Sequence, residues 1–427
     1  MHKVLVIGCN TGGLAVIRAF LDAEDVQVIA LSHSRREVGL ASRYVSEIVM
    51  MPHPGDDEQG FIDLLLARGE RWRGALIIEV GDYLATALAK HKRVLSQYYR
   101  MATPDWDCLR LFVDKAETRA LAQRIGVDHP RVFAPQSVEH ARSMQHDIRY
   151  PALVKPISSH EFVRATGFKN FEVNSGSELM ERLRYCWQAR QPVIVQEVVP
   201  GPETNLERVH LYVNSKGRIA AQFFHRKIRQ HPPGFGVMRV GLSTPPNSDV
   251  ELLAGRIVAG SNYRGFCSIE FKRDPRDGAL KLIEVNARMP RSAAFPIACG
   301  VNFPWLMYKD LVHNEQIEVT QHAAGLYWIE LLPDLFNMLF NRRRERFTWR
   351  EYLRPYLARR RHFAVLDWRD PLPFLKQISS ACGAALRLLT RLLRNLLQRR
   401  RRPASPTDPL APAVNPKRLT RNPEPLT

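Results

Sequence analysis

Little in this 427-residue chain would staple it or anchor it. Its six cysteines, Cys9, Cys108, Cys186, Cys267, Cys299 and Cys382, have no CxxC spacing, so neither a zinc site nor a disulfide framework is indicated. They read as reduced, mostly core residues of a cytosolic protein. No uninterrupted apolar run reaches membrane-spanning length. The N-terminus, Met1-His2-Lys3-Val4-Leu5-Val6-Ile7-Gly8, enters a strand at once without a cleavage site, so secretion is not expected. The first glycine turn, Gly8-Cys9-Asn10-Thr11-Gly12-Gly13, lacks the G-x-G-x-x-G spacing of a dinucleotide site. Where an acidic residue would close the second strand stands Ser32-His33-Ser34-Arg35-Arg36. That basic end leaves NADP as the minor reading, behind a Rossmann-like domain that lost, or never had, a dinucleotide.

What the chain does have is ordinary globular composition, 45% hydrophobic and 25% charged, over a length that suggests about two to four domains. The net charge of +19 would ordinarily raise nucleic acid as a partner. Its distribution argues for something narrower. Arginines crowd at Arg342, Arg343, Arg344, Arg346, Arg350, Arg354 and Arg359 to Arg361, and again from Arg387 to Arg402, so the excess belongs to the last fifth of the chain.

From residue 3 to about 110, short buried strands (Val4 to Gly8, Val26 to Leu31, Ala75 to Glu79) alternate with helices (Leu14 to Leu21, Phe61 to Arg68), a parallel α/β pattern. Asp114 to Ala122 begins a helix that Gly126 and Pro130 end, and Lys115 at its start is by default a solvated lysine. Tyr150 to Pro156 is an apolar strand ending on Lys155, which could reach phosphates as a point charge. Pro192 to Gly201 is a second buried strand with Gln196 and Glu197 in its middle, followed by Glu203; it reads equally as an edge strand or as a linker offering polar groups to an adenine. Val209 to Val213 and Ile219 to Phe224 form a hairpin that runs on into His225-Arg226-Lys227-Ile228-Arg229. Lys227 and Arg229 share a face of that strand and would line a cleft facing an anion. His225 reads as a hydrogen-bonded surface residue without a catalytic role.

Phe266 to Phe271 and Leu280 to Val285 alternate like half-buried strands about the turn Asp274-Pro275-Arg276-Asp277-Gly278. Paired antiparallel, they would aim Glu270 and Glu284 at one point, with Asn286 repeating that facing and Arg288 following if the strand continues. Two carboxylates and an amide oxygen suit Mg2+. On pattern alone, a hairpin with a wet acidic face is the leading reading, and the order of features along the chain is what favours the metal centre.

The order Lys115, Lys155-Pro156, Gln196-Glu197 with Gly201 and Glu203, Glu270, then Glu284-Val285-Asn286-Ala287-Arg288 closely resembles the ATP-grasp superfamily over about residues 3 to 310. HRKIRQHPPGFG and CGVNFPWLMYKDL resemble its D-aspartate ligase and carbamoyl-phosphate-synthase-like branch. The resemblance implies an α/β and α+β protein: a Rossmann-like pre-ATP-grasp domain (1–110), a two-lobed ATP-grasp domain (111–310, hinge near 194–201) and an extension packed on it (311–378); the residues beyond read as a basic amphipathic helix (379–402) and a proline-rich, disordered tail (403–427). It implies that ATP is bound by Lys115, Lys155, Gln196, Glu197 and Glu203. Magnesium, replaceable by Mn2+, falls to Glu270, Glu284 and Asn286. Arg288 would steady an acyl-phosphate transition state, with Lys227 and Arg229 assisting. The implied activity joins a carboxylate to an amine, on an amino acid or a cell-envelope substrate, with release of ADP and phosphate. The edge of the first sheet would take part of the acceptor.

Ser158 to Gly167 departs from the family's glycine- and serine-rich phosphate loop and is read as a branch trait; with 231–236 it is expected to form a lid. From Ala385 to Arg402, leucines on one helical face and arginines on the other suit an anionic membrane surface, another subunit of a homo-oligomer, or nucleic acid, in that order. The resulting expectation is a cytoplasmic enzyme held at the inner membrane face. The alternative is a non-catalytic ATP-binding scaffold with a basic C-terminus, and a carbamoyl-phosphate-forming or biotin-linked carboxylase lacks any supporting segment.

Overall fold

A computed structural model describes residues 1–157, 162, 165–168, 170–231, 236–341, 347–383 and 390. Most of the 158–167 loop and the 231–236 lid, the basic helix beyond 383 apart from Thr390, and the tail lie outside the described residues. The chain divides into two compact units: residues 1–130 with 199–374, and residues 131–198 with those from Leu375 onward.

The first unit begins with a parallel sheet of β1 (His2–Ile7), β2 (Val26–Ser32), β3 (Val45–Met50), β4 (Leu76–Glu79) and β5 (Arg100–Met101), in the order β3-β2-β1-β4-β5. Its central strands are apolar runs because helices cover both faces of a parallel sheet. The edge strand β3 carries Ser46 and Glu47 among its valines and is the strand that hydrophobic pattern misses. The strand order turns back between β1 and β4, and in such sheets that point opens a crevice beyond the strand ends.

The second unit is a small sheet of β6 (Val132–Phe133), β7 (Ala152–Pro156), β8 (Phe171–Val173) and β9 (Val193–Glu197), in the order β6-β9-β7-β8, with each neighbouring pair antiparallel. The helix Gly176–Gln188, capped by Ser175, buries Leu179, Leu183 and Cys186 in a core with Phe162, Val154 and Val195.

The remainder of the first unit is a seven-stranded sheet: β10 (Leu206–Val213), β11 (Ile219–His231), β12 (Val237–Ser243), β13 (Gly265–Arg273), β14 (Leu280–Asn286), β15 (Tyr327–Ile329) and β16 (Arg361–Phe363), ordered β14-β13-β10-β11-β12-β15-β16. The hairpin strand read from Val209 starts three residues earlier and so includes Arg208. β15 and β16 continue this sheet, so the segment after residue 310 adds strands to it. Period-two alternation sorts the faces. Val209, Leu211, Cys267, Ile269 and Phe271 pack with Val250, Ala254 and Ile257 of the helix Ser248–Ser261. Arg208, His210, Ser268 and Glu270 alternate with them and take the other face.

Candidate active site

β13 and β14 pair antiparallel with Glu270 opposite Glu284 and Ser268 opposite Asn286. The ladder shifts by one residue between Glu270 and Phe271, whose partner is Leu282, leaving Ile283 as a bulge. Leu280, Leu282 and Val285 belong to the apolar core, so regular alternation from Leu282 would have turned Glu284 inward. The bulge re-aims Glu284, which stands exposed beside the buried Glu270.

Glu270 is held by two cations. Arg208, its cross-strand partner on β10, donates through Nη2 to Oε2, and Lys227 Nζ on β11 lies 3.0 Å from the same oxygen. Burial lowers Arg208 to about 10 while the nearby Glu284 pulls it upward, so it remains a cation at neutral pH. Beneath this layer His210 and His225 meet Nε2 to Nε2 at 2.6 Å, fully buried. Burial, with Arg208 adding to it, holds both well below the usual imidazole range, so the pair is neutral and one ring donates to the other. His225 is therefore a core residue, which corrects its reading as a surface imidazole.

β14 stops at Asn286, and Arg288 lies in the succeeding loop. Its Nη2 donates to Asn286 Oδ1 at 3.3 Å, and Nε and Nη2 donate to Asp82 at 2.8 and 3.2 Å. Burial would lower Arg288, yet Asp82, Glu284 and Glu79 together hold it above the usual arginine value. Asp82 opens the helix Asp82–Lys90 just after β4, so Arg288 docks at the switch point of the first sheet. Glu79, the last residue of β4, is buried there and its carboxyl is pushed up to about 7 by burial, against the pull of Arg288. The glycine turn serves the same junction. A Cβ on Gly12 would lie 2.5 Å from the Pro290 carbonyl oxygen and 3.0 Å from Arg291 Cα, so glycine there permits close packing of the turn on the Met289 to Arg291 segment.

Lys227 and Arg229 do not act as a pair. A register shift between them breaks the alternation, and Arg229 is 2% exposed, donating through Nε and Nη2 to the two oxygens of Asp334 at 2.9 and 2.7 Å. Tyr352 lies under its guanidinium, 4.4 Å from carbon to ring centre, and accepts a bond at its carbonyl. The expectation that Arg229 faces an anionic ligand gives way to an arginine locked to the helix Leu331–Asn341.

Lys115 opens the helix Lys115–Arg124 behind its cap Asp114 and is exposed. Glu203 sits in the short turn Glu203–Asn205; its charge acts on Lys272, whose pKa burial lowers and whose Nζ donates to the Val199 carbonyl at 2.8 Å. In the second unit, Lys155 on β7 donates to Gln196 Oε1 on β9 at 2.9 Å; the two are diagonal neighbours, since Lys155 stands opposite Ile194 and Gln196 opposite Leu153. Glu197 points the other way: it is buried, accepts from the Arg149 amide at 3.2 Å and lies 3.7 Å from Arg131.

Sequence reasoning missed Arg208, Asp82 and Glu79. It also missed Glu330, a buried carboxylate that accepts from Arg291 Nη2 at 3.0 Å and from Arg239 Nη1, with Thr11 of the glycine turn at 3.5 Å. The only signal was a charged residue at the end of an apolar strand, as in Leu76-Ile77-Ile78-Glu79 and Tyr327-Trp328-Ile329-Glu330.

Two facing carboxylates and the Asn286 amide oxygen make a hard-oxygen donor set that fits Mg2+. The bulge-exposed Glu284 is its open side, while the paired Arg208 and Lys227 fix the Glu270 carboxylate in orientation. With Arg288 adjoining, this face can bind a divalent ion and offset charge developing on phosphate oxygens.

No family model matches the chain. In sequence it is similar to the D-aspartate ligase of Enterococcus faecium (strain Aus0004), 24% identical over 299 residues that make up 66% of this chain and 71% of the relative. In structure it is similar to N5-carboxyaminoimidazole synthetase from Staphylococcus aureus, with a TM-score of 0.62 at 14% identity over 82% of this chain and 87% of the other. It is also similar to L-amino acid ligase from Bacillus licheniformis, with a TM-score of 0.56 at 16% identity over 74% and 75% of the two chains. At such identity the structures share the fold.

Proposed function

We propose that this chain, a member of the ATP-grasp superfamily, is an ATP-dependent carboxylate-amine ligase that makes an amide through an acyl phosphate. The observation that carries the reading is the pairing of Glu270 with Glu284 on one sheet face, braced by Arg208 and Lys227 and adjoined by Arg288.

A carboxylate oxygen of the first substrate attacks the γ-phosphorus of ATP, and the bond from that phosphorus to the β,γ-bridging oxygen breaks with its electron pair leaving on ADP. Arg288 and Lys227 supply positive charge against the spread phosphoryl oxygens. The amine of the second substrate then attacks the acyl carbon, phosphate departs with the C–O electron pair, and the nitrogen loses a proton. Glu270, Glu284 and Asn286 would hold Mg2+, which supplies charge neutralisation on the phosphate oxygens when bound. Lys115, Lys155, Gln196 and Glu203 are the proposed nucleotide ligands. Glu197 supports its strand through Arg149 and Arg131. Arg229 serves the fold through Asp334.

The similar D-aspartate and L-amino acid ligases support an amino acid as one substrate. A consumer of ATP of this kind belongs in the cytoplasm, and no described helix is long and apolar enough to cross a membrane. The basic segment 385–402 keeps its proposed part at an anionic surface or a second subunit.

Hydroxylamine traps acyl phosphates as hydroxamates. Purified protein with Mg-ATP, hydroxylamine and pools of amino acids and small dicarboxylates is expected to accumulate hydroxamate from one class of acid; ATP turnover without hydroxamate from any acid would contradict the acyl-phosphate step.

A further inference from the structure

One described helix keeps an apolar stripe in water. Trp349–Leu357 starts with a capping box, in which Thr348 Oγ1 accepts from the Glu351 amide at 3.3 Å and the Glu351 carboxylate accepts from the Thr348 amide at 2.9 Å. Tyr352 and Pro355 are its buried residues, and the Tyr352 ring and carbonyl fix it to Arg229. Trp349, Leu353 and Leu357 recur every four residues and so lie on one side of the helix, where they are 51%, 43% and 77% exposed. Phe347, another exposed aromatic, lines one hollow with Trp349 and Met338.

The charge beside this stripe is predominantly positive. Arg350 and Arg354 are exposed at the positions directly after Trp349 and Leu353, and on a helical wheel they border the stripe. In sequence, Arg342, Arg343, Arg344 and Arg346, with Glu345 among them, precede the helix and Arg359, Arg360 and Arg361 come after it. Glu351, the helix's one acid, is engaged in the cap.

We propose that this face docks on an anionic lipid surface, with Trp349, Leu353 and Leu357 entering the headgroup boundary and Arg350 and Arg354 meeting lipid phosphates. A tryptophan and leucines over a basic rim match an interfacial helix in both apolar area and charge. The chain's own leucine-bearing segment 385–402 is a poor cover, because it brings Arg387, Arg391, Arg394 and Arg399 to Arg402 against a basic rim. The docking residues are separate from the proposed ligase machinery, so the inference stands or falls independently of that reading.

The test is co-sedimentation of the full chain with phosphatidylcholine vesicles, with and without phosphatidylglycerol, at low and high salt. Wild type is expected to sediment only with the anionic vesicles and to be released by salt. The L353E/L357E variant is expected to partition roughly tenfold or more weakly with an unchanged melting temperature. R350E/R354E, which keeps the leucines, is expected to weaken binding to anionic vesicles as well. Equal partition of L353E/L357E and wild type would overturn the proposal in favour of attachment elsewhere, such as 385–402. A melting temperature lowered by L353E/L357E alone would show a face covered within the chain, and a wild-type dimer split by that variant would show a second copy as the occupant. Either overturns it.

Discussion

Arg288 grips the Asp82 carboxylate with Nε at 2.8 Å and Nη2 at 3.2 Å, tying the loop after β14 to the helix that begins at the first sheet's switch point. The guanidinium proposed to steady the phosphoryl group is thus aimed by a residue beside the N-terminal parallel sheet, 206 positions away in sequence. On that proposal the N-terminal parallel sheet has a physical part in the chemistry through Asp82.

Arg288→Ala is expected to lower kcat by about 10²- to 10³-fold, the usual loss when one preorganised charge is removed from a transition state. Asp82→Asn keeps the arginine but loosens its aim, and about a tenfold loss in kcat with little change in KM is expected. Steady-state kinetics of the two variants checks both, and a silent Asp82→Asn would remove the positioning role.

Glu270 and Glu284 face each other but stand in different surroundings. Glu270→Gln strands Arg208 and Lys227 without a full countercharge in a buried layer, and a loss of roughly 3–5 kcal/mol of stability is expected. Glu284 is exposed, so Glu284→Gln is expected to stay within about 0.5 kcal/mol of wild type while losing turnover. Thermal unfolding of both variants beside their activities separates the roles.

Glu79 makes stability depend on pH in a direction opposite to most carboxylates. Its folded pKa is raised by burial from 4.5 to about 7, so between those values the folded chain holds a proton that the unfolded chain releases. Its contribution therefore falls as pH rises through that window, by up to about 3 kcal/mol. Glu79→Gln is expected to raise the melting temperature more at pH 8 than at pH 5. The same gain at both pH values would contradict the assignment.

Lys227 and Arg229 are two residues apart and are expected to fail differently. Arg229→Met leaves Asp334 buried and unpaired, costing roughly 3–5 kcal/mol, and the fraction still folded should retain most of its kcat. Lys227→Met is expected to lower kcat in addition to weakening the Glu270 cluster. Unfolding curves paired with kinetics per folded molecule decide this.

The hairpin of β13 and β14 was legible because Phe266 to Phe271 alternates cleanly and Asp274 to Gly278 is a strong turn. The pairing of Glu270 with Glu284 came with it, whereas the strand ends at Asn286 and Arg288 sits in the loop beyond. The bulge at Ile283 was not legible, since Leu280 to Val285 looks regular and only pairing with β13 shows the shift. Asp82 and Arg208 were hidden for a related reason. Each is a charged residue in or beside an apolar element, and its meaning lies in a partner 206 or 62 positions away. Lys227 and Arg229 were misjudged as a pair because a β-bulge defeats the rule that alternate residues share a face. The contact of Lys155 with Gln196 was not legible, because it runs diagonally between two strands whose register sets Lys155 opposite Ile194.

The most direct test of the central claim is ADP and phosphate release by the purified chain with Mg-ATP against pools of amino acids and small dicarboxylates, alongside Glu284→Gln. Release that requires a particular acid together with an amine, yields their amide and vanishes in Glu284→Gln is the predicted result. Tight Mg-ATP binding with no release stimulated by any acid-amine pair would contradict it and favour a nucleotide-binding scaffold.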